Sequence, residues 1–392
     1  MPWRRPIAGC RRLDRALNIA DLRDVARRRI PGFIFEYLEG GAEDEVTVRR
    51  NRRALEEIAF VPRTLVHTAE RHLRAAILGS ECSAPLIIAP TGSAGLIHPQ
   101  GDACLAQAAA DRGIPFCLST VSNMRLEDVA TRAGGRLWMQ LYVMQSRTMA
   151  EDIMQRADAA GYEALVFTTD ANVFGSREWD RRNYRAPGKP TLRSMLDMLR
   201  HPRWLYEILL RDGMPRFRNL ESFLPPGAAT AVGGSTILPG LFEPTITWDD
   251  IAWIRRFWRR KLIVKGILSV ADAQRAADLG CDGIVLTNHG GRQLDSCVSP
   301  IEVLPAIAAA VGDHTTIIVD SGIRRGTDIV KALALGAHAV MLGRATLYGL
   351  AAGGAAGTGM AVDVLMSEMD RVLGQLGCRS VADLGPHLLH QP

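Results

Sequence analysis

The chain has 392 residues, of which 47% are hydrophobic and 23% are charged, a composition typical of folded enzymes rather than of disordered or fibrous chains. A formal net charge of +5 over this length is too small to indicate nucleic-acid binding, and no run of about 18 apolar residues predicts a transmembrane helix. Seven scattered cysteines without a Cys-x-x-Cys pair predict neither a disulfide framework nor a metal site. We therefore expect a cytoplasmic protein, and the N-terminus lacks the apolar core of a secretory signal.

Residues 1–80 are predicted to form an Arg-rich tail followed by a helical extension. The apolar stretch 33–38 is followed by Gly40-Gly41, a common way for a helix to end. Residues 386–392 are expected to be a C-terminal tail. The region between, 81–385, is predicted to be the main domain.

Short apolar runs alternate with amphipathic segments throughout this main domain. Continuous apolar runs favour a parallel sheet that is covered by helices on its outer side. Eight such strands close a TIM (β/α)8 barrel. A doubly wound open sheet is the alternative, but no G-x-G-x-x-G motif follows the first strand. The predicted strands are 86–89, 115–118, 137–142, 164–168, 262–265, 283–286, 316–319 and 339–342.

Polar residues or glycine follow every one of these predicted strands. In a barrel the carboxyl ends of all strands meet at one face, which is where active sites of this fold lie. A helix cap or a turn would explain the residues at any one strand end equally well. It is a poor explanation for such residues at all eight strand ends. The positions are Pro90, Thr91, Gly92, Ser119, Gln140, Tyr142, Thr168, Asp170, Lys265, Thr287, His289, Asp320, Gly322, Gly343 and Arg344.

The loop after the sixth predicted strand, 287–293, combines a base with a fixed cation. His289 and Arg292 are separated by Gly290-Gly291, and the glycines let the backbone approach a ligand closely. A neutral imidazole can accept a proton, and a guanidinium can bind a carboxylate through two hydrogen bonds. Taken alone, the loop could also be a solvated surface turn.

The loops after the last two predicted strands each combine glycine with arginine. They contain Arg324 and Arg344 together with Gly322 and Gly343, and barrels often bind phosphate at these two loops. Ordinary turns with solvated arginines are the alternative. Lys265 ends the fifth strand, where it could form a Schiff base or stabilise an anionic cofactor.

A long insertion, 186–247, separates the fourth and fifth predicted strands. Its first half is basic and carries two apolar helical stripes: Leu192, Met195, Leu196 and Leu199, then Leu205, Ile208 and Leu209. Such helices are typical of segments that lie on an anionic membrane surface. A lid over the site, or packing against another subunit, are the alternatives. The Gly/Ala/Pro-rich stretch 225–240 is predicted to be mobile.

Together these motifs resemble the FMN-dependent (S)-2-hydroxy acid oxidases and dehydrogenases. The family loop is Ser-Asn-His-Gly-Gly-Arg-Gln, and Thr287 departs from it while keeping a hydroxyl group. The resemblance runs from about 19 to 384 and includes 37–45, 140–142 and 324–328. Within the family it is greater to the membrane-associated (S)-mandelate dehydrogenases, through 118–124, 343–352 and 376–378, than to the quinone-linked L-lactate dehydrogenases.

The resemblance implies an FMN cofactor, no metal, and a role for each matching residue. His289 is similar to the catalytic base, which Asp170 would support, and Arg177 and Arg292 to the pair that binds the substrate carboxylate. Tyr37 and Tyr142 would also contact the substrate, and Tyr142, Arg292 and Lys265 would share in catalysis. The implied cofactor contacts are Pro90, Thr91, Gly92, Ser119, Gln140, Thr168, Lys265, Thr287, Asp320, Gly322, Arg324, Gly343 and Arg344.

The implied reaction oxidises an (S)-2-hydroxy acid to the 2-oxo acid. Gly92 stands where the family's oxidases mostly carry alanine, which favours a membrane quinone over oxygen as acceptor. Val121 stands where many of them carry tryptophan, which favours a mandelate-like substrate. The alternatives are a quinone-linked L-lactate dehydrogenase, an oxygen-using oxidase and, more distantly, an aldolase or lyase that uses Lys265.

The resemblance also sets expectations for the surroundings of the enzyme. We expect a homo-tetramer that is peripherally bound to the inner face of the cell membrane. Its partners would be the small hydroxy acid and the electron acceptor, and not a nucleic acid.

Overall fold

The structure, a computed structural model, describes residues 9–186, 189–224, 229–230 and 240–390. The stretch 225–240, which the sequence predicts to be mobile, lies almost entirely outside these ranges. Residues 1–8 and 391–392 of the two predicted tails also lie outside them.

Within the described residues, eight parallel strands close into a barrel in which each strand pairs with the next and the eighth pairs with the first. The prediction of a TIM (β/α)8 barrel is therefore confirmed. Every predicted strand is present, with ends that shift by one or two residues. The strands are β1 Leu86–Ile88, β2 Phe116–Leu118, β3 Leu137–Leu141, β4 Ala164–Thr168, β5 Lys261–Ile267, β6 Gly283–Leu286, β7 Thr316–Val319 and β8 Ala339–Leu342.

Helices surround the barrel and form the N-terminal extension. In the described part of the chain they are α1 Ile19–Arg29, α2 Gly32–Glu39, α3 Val46–Glu57, α4 Gly101–Ala110, α5 Leu126–Ala133, α6 Arg147–Ala159, α7 Glu178–Arg182, α8 Leu192–Leu199, α9 Pro202–Trp204, α10 Asp250–Phe257, α11 Val270–Asp278, α12 Pro300–Val311, α13 Gly326–Ala334 and α14 Arg344–Leu376. Helix α12 begins at Pro300, and the Glu302 carboxylate accepts a hydrogen bond from Ser299 N–H at 2.6 Å.

The barrel interior is filled by apolar side chains from the strands, among them Ile87, Trp138 and Ile263, none of which is exposed. An antiparallel hairpin, Ala75–Ile77 with Ser80–Cys82, packs into the same cluster. Its tip lies against Gly283, the first residue of β6, so the hairpin closes the amino end of the barrel. The carboxyl end of the barrel carries no such hairpin in the described residues.

The two predicted apolar stripes of the insertion face in different directions. In α8 the side chains of Leu192, Leu196 and Leu199 are 63%, 54% and 66% exposed. The second stripe lies in α9 and the π-helical turn Leu205–Leu210, and it faces the barrel: Ile208 is buried, and Trp204 donates a hydrogen bond to Leu96 O at 2.8 Å. Only the first stripe is therefore a free apolar surface.

Helix α14 is long and apolar enough to cross a membrane by length and composition alone. However, 61% of its most apolar window is buried inside the fold, and Gly353 and Gly354 have non-helical backbone angles that kink it. Its two halves pack closely on each other at the kink. A Cβ atom at Gly357 would lie 2.1 Å from Gly349 O.

This contact generates a stability prediction. Gly357→Ala should lower the free energy of unfolding by about 1–3 kcal/mol, because the added methyl group meets backbone that cannot move aside. Gly374→Ala, in the same helix, is the control, since its nearest neighbour is the flexible Arg71 side chain at 3.3 Å, and its stability should stay within about 1 kcal/mol of the wild type. Thermal unfolding of the two variants checks the difference, and equal melting temperatures would contradict the packing described.

Candidate active site

A cavity of about 830 Å³ opens at the carboxyl end of the barrel, and its lining includes residues that follow all eight strands. This volume is in the range that holds a cofactor together with a small substrate. Most of the predicted site residues line it: Tyr37, Pro90, Thr91, Gly92, Ser119, Tyr142, Arg177, Lys265, His289, Arg292, Asp320, Gly322, Arg324, Gly343 and Arg344.

Four predicted site residues lie behind the lining rather than in it. Asp170 contacts His289, and Thr287 donates a hydrogen bond to Asp320 Oδ2 at 3.0 Å. The Gln140 side chain accepts from Ser119 Oγ at 3.3 Å and donates to Thr168 Oγ1 at 3.1 Å. The sequence therefore locates these four correctly in the fold, but they support the cavity wall from behind.

The loop after β6 adopts an unusual left-handed turn. His289, Gly290 and Gly291 have consecutive φ angles of 57°, 66° and 74°. This conformation is costly for a residue with a side chain, so His289 is held there by its surroundings, including a hydrogen bond from its own N–H to Thr287 Oγ1 at 2.9 Å. Thr287 makes this contact through its hydroxyl group, which the serine of the family loop also has.

The N-terminal extension fastens this turn. The buried side chains of Asn51 in α3 and Asn288 exchange two hydrogen bonds, at 2.9 and 2.7 Å. A Cβ atom at Gly291 would lie 2.9 Å from Val48 N, so only glycine allows α3 to approach this closely. The extension is therefore part of the site rather than an appendage of the barrel.

The imidazole of His289 is oriented from both sides. Its Nδ1 lies 2.9 Å from Asp170 Oδ1, and its Nε2 lies 3.4 Å from the Tyr142 hydroxyl. Burial and the nearby Lys265 ammonium lower the pKa of His289, and the Asp170 carboxylate opposes this shift. Burial alone would raise the pKa of Asp170, but the charges of His289 and Lys265 hold it below its usual value. A neutral imidazole beside a carboxylate is the state of a general base.

Two arginines converge beside this base. The Arg292 guanidinium donates to Gly40 O at 2.6 Å and lies 5.3 Å from the centre of the Tyr37 ring. The Arg177 guanidinium lies 5.5 Å from the centre of the Phe174 ring, and its Nε is 3.5 Å from Arg292 O. Two planar cations near a base form a suitable site for a carboxylate that carries a reactive α-carbon.

The opposite part of the cavity is built from the loops after β7 and β8. Gly343 caps the N-terminus of α14 and adjoins open space, so the positive end of the helix dipole faces the cavity. Arg344 donates to the carbonyls of Leu38, Gly40 and Gly290, and burial together with Arg292 lowers its pKa to about 10. Arg344 therefore fastens α2 to the loop after β6, a role that the sequence does not reveal.

Several lining residues are not predicted by sequence motifs. Phe242, from the end of the insertion, lies with its ring centre 4.9 Å from those of both Tyr142 and Phe174. Phe217 and Arg181 also line the cavity. The arginine spacing gives a signal for Arg181, which lies one helical turn beyond Arg177 in α7, but no sequence pattern places an insertion phenylalanine in a site.

Comparison with known proteins agrees with this geometry. The family model described as FMN-dependent dehydrogenase matches residues 26–391. The chain is 44% identical to (S)-mandelate dehydrogenase of Pseudomonas putida, with 95% of this chain and 93% of the relative covered. It is 42% identical to a putative L-lactate dehydrogenase of Mycobacterium tuberculosis, with 97% and 91% covered. The crystal structure of the monotopic membrane protein (S)-mandelate dehydrogenase superimposes with a TM-score of 0.91 at 43% identity, covering 96% of this chain and 100% of that chain.

The chain therefore belongs to the family of FMN-dependent dehydrogenases, and its cofactor is FMN. The cavity fits this group. Thr91 Oγ1 is buried there without a hydrogen-bond partner among the described residues, as expected of an atom that binds a polar ring. The buried Lys265 supplies a cation, and the glycine-arginine loops supply a phosphate site.

The electrostatics of this site generate a second prediction. Asp170→Asn should lower the pKa of His289 further, because the carboxylate that favours the imidazolium is removed while Lys265 remains. Asp102→Asn is the control, since Asp102 is a buried carboxyl group outside the cavity lining. Titration of the His289 ring by NMR measures the shift, and an unchanged or raised pKa in Asp170→Asn would show that the pair does not interact as described.

Proposed function

We propose that the protein oxidises (S)-2-hydroxy acids with an aromatic side chain to the 2-oxo acids and passes the electrons to a membrane quinone. The observation that carries the proposal is one cavity in which the His289–Asp170 pair, two arginines and Tyr142 surround a common space. The names of the related mandelate and lactate dehydrogenases support a 2-hydroxy acid as the substrate class.

The first task of the site is to bind the substrate carboxylate. Arg177 and Arg292 would hold it through paired hydrogen bonds, and the phenols of Tyr37 and Tyr142 would contact the same end of the substrate. Neutralising this charge makes loss of hydrogen from the α-carbon less unfavourable. Binding of the carboxylate by two arginines also fixes which face of the substrate His289 meets.

The second task is to take a proton from the carbinol. Nε2 of His289, which lies beside the Tyr142 hydroxyl, can accept either the α-carbon proton or the hydroxyl proton of the substrate. Asp170 stabilises the imidazolium that results. Bound FMN supplies the acceptor for the two electrons. Lys265, buried at the end of β5, would stabilise negative charge on that acceptor.

The shape of the cavity favours an aromatic substrate. Tyr142, Phe174 and Phe242 form edge-to-face contacts in its wall, an arrangement that readily accepts another ring. Val121, at the position where many of the family's oxidases carry tryptophan, contributes only a small side chain to the lining. L-lactate is the second candidate, because L-lactate dehydrogenases are nearly as similar to this chain as the mandelate enzyme.

Two features favour a quinone in the membrane as the electron acceptor over oxygen. Gly92 lies against Val121, and a Cβ atom at Gly92 would be 2.5 Å from Val121 Cγ2, so the alanine of the family's oxidases would not fit without a shift. The exposed leucines of α8 provide an apolar surface, next to the basic Arg193 and Arg200, that suits an anionic bilayer. Peripheral binding to the inner face of the cell membrane, and a homo-tetramer, belong to the same proposal.

The role of His289 can be tested by reduction of the bound flavin. Anaerobic (S)-mandelate should bleach the yellow wild-type enzyme, and His289→Gln should retain FMN but react about 10²- to 10⁴-fold more slowly, because the general base is lost. Stopped-flow absorbance measures both rates. The control is His314→Gln, an exposed histidine outside the cavity. A His289→Gln enzyme with near wild-type reduction would exclude the proposed role.

The acceptor can be tested with a variant of α8. Replacing Leu192 and Leu196 with aspartate should weaken binding to anionic vesicles and lower turnover with a quinone embedded in them, while turnover with a soluble dye stays unchanged. The same replacement at Leu17 and Leu65, which are exposed outside the insertion, is the control. Hydrogen peroxide production at air saturation that matches quinone turnover in the wild type would favour an oxidase instead.

A further inference from the structure

A buried amide in the part of the insertion that follows the exposed helix fixes this part to the barrel. Asn219 is 1% exposed, and both the oxygen and the nitrogen of its side-chain amide form hydrogen bonds. Its Oδ1 accepts from Leu126 N at 2.9 Å and from Arg156 Nη2 at 3.3 Å, and its Nδ2 donates to Met124 O at 3.1 Å. These hydrogen bonds join the insertion to the end of the loop after β2 and to the first residue of α5.

A second amide joins the same two segments from the barrel side. Asn123 Nδ2 donates to Arg216 O at 3.2 Å, and Asn123 Oδ1 accepts from Gly95 N at 2.9 Å. The Asn123 N–H donates to the buried carboxylate of Asp102 at 3.0 Å. The segment around 216–219 is therefore held on both sides of Phe217.

Phe217 lies between these two attachments and is 2% exposed. Its side chain lines the same cavity as Val121, Tyr142 and Phe242, and its N–H donates to Ala229 O at 2.6 Å. The neighbouring Arg218, in contrast, is exposed and pairs with Glu221. The chain thus turns one apolar ring inward and one charge outward at this point.

We infer that Phe217 is a specificity-determining residue for the hydroxy-acid side chain and that Asn219 is a positioning residue that fixes it in the wall. The inference rests on the proposed function, since it concerns the substrate of that site. It assigns to the insertion a second role, distinct from its exposed apolar helix: Phe217 limits the size of the side chain and gives it an apolar surface.

The physical basis is that the position of the Phe217 ring is fixed before a substrate binds. A ring whose backbone is fixed on both sides meets the substrate without losing further conformational freedom, so its contact adds to the binding of substrates that reach it. Lactate carries only a methyl group and would leave most of this wall untouched. Phe217 should therefore affect aromatic substrates much more than lactate.

The first test compares substrates of different size. Phe217→Ala should lower kcat/KM for (S)-mandelate by about 10- to 100-fold, the range for a lost apolar contact, and change that for (S)-lactate by less than about threefold. It should also raise the relative rate for a bulkier naphthyl analogue, which fits the space released. Phe217→Leu should fall between, and Arg218→Ala, the exposed neighbour, should match the wild type.

The second test removes the attachment and keeps the ring. Asn219→Ala should raise KM for (S)-mandelate about 10-fold with little change in kcat or in the pH profile, because the base and the arginines are untouched. Asn219→Asp keeps the two accepting interactions but replaces the donor to Met124 O by a carboxylate oxygen, which repels that carbonyl, so its KM should rise as well, by less than in Asn219→Ala. If Asn219→Ala does not fold, Asn219→Asp decides: a raised KM for (S)-mandelate at unchanged kcat supports the inference, and an unchanged KM or a lowered kcat contradicts it.

The possible results separate this inference from the proposed function. If the wild type oxidises mandelate and Phe217→Ala lowers mandelate and lactate equally, or changes neither, the wall does not determine specificity. If Asn219→Ala lowers kcat at unchanged KM, Asn219 does not act through substrate fit. A wild-type enzyme that holds FMN and oxidises no 2-hydroxy acid would instead overturn the proposed function.

Discussion

The left-handed turn at 289–291 is the constraint on which the site depends. A histidine at positive φ is held in place only if its neighbours leave no alternative, and here they come from two parts of the fold, α3 and the loop after β4. Asp170 holds the ring, the Asn51–Asn288 pair holds the backbone, and α3 packs on Gly291. Because these groups come from the N-terminal extension, β4 and β6, the base is in place only when the whole fold is assembled.

The same assembly concentrates positive charge around the cavity. Arg292 and Arg344 both donate to Gly40 O, at the C-terminal end of α2, where the helix dipole favours cations. Their cost of burial is offset partly by these carbonyls, and under the proposed function a substrate carboxylate and the FMN phosphate would offset the rest. A site with this charge is suited to two anionic ligands at once.

Much of this architecture follows from local sequence. The eight apolar runs and the glycine-rich loops that follow them each have a local explanation, and the barrel brings the ends of the runs together. Two kinds of feature do not follow. Arg344 matches a phosphate-binding pattern, yet two of its three hydrogen bonds to carbonyls depend on the distant helix α2 and its C-cap. The two stripes of the insertion have the same spacing, and only packing decides that α8 is exposed while Ile208 is buried.

The insertion therefore contains two neighbouring parts with different surroundings. Residues of α8 face outward, and their sequence can change with the surface they meet. The segment near Asn219 is tied to Met124 and Leu126 and can change only together with the barrel. A shortened, more soluble form of the enzyme should therefore lack the exposed leucines of α8 but keep the segment near Asn219, so that the wall of the cavity stays intact.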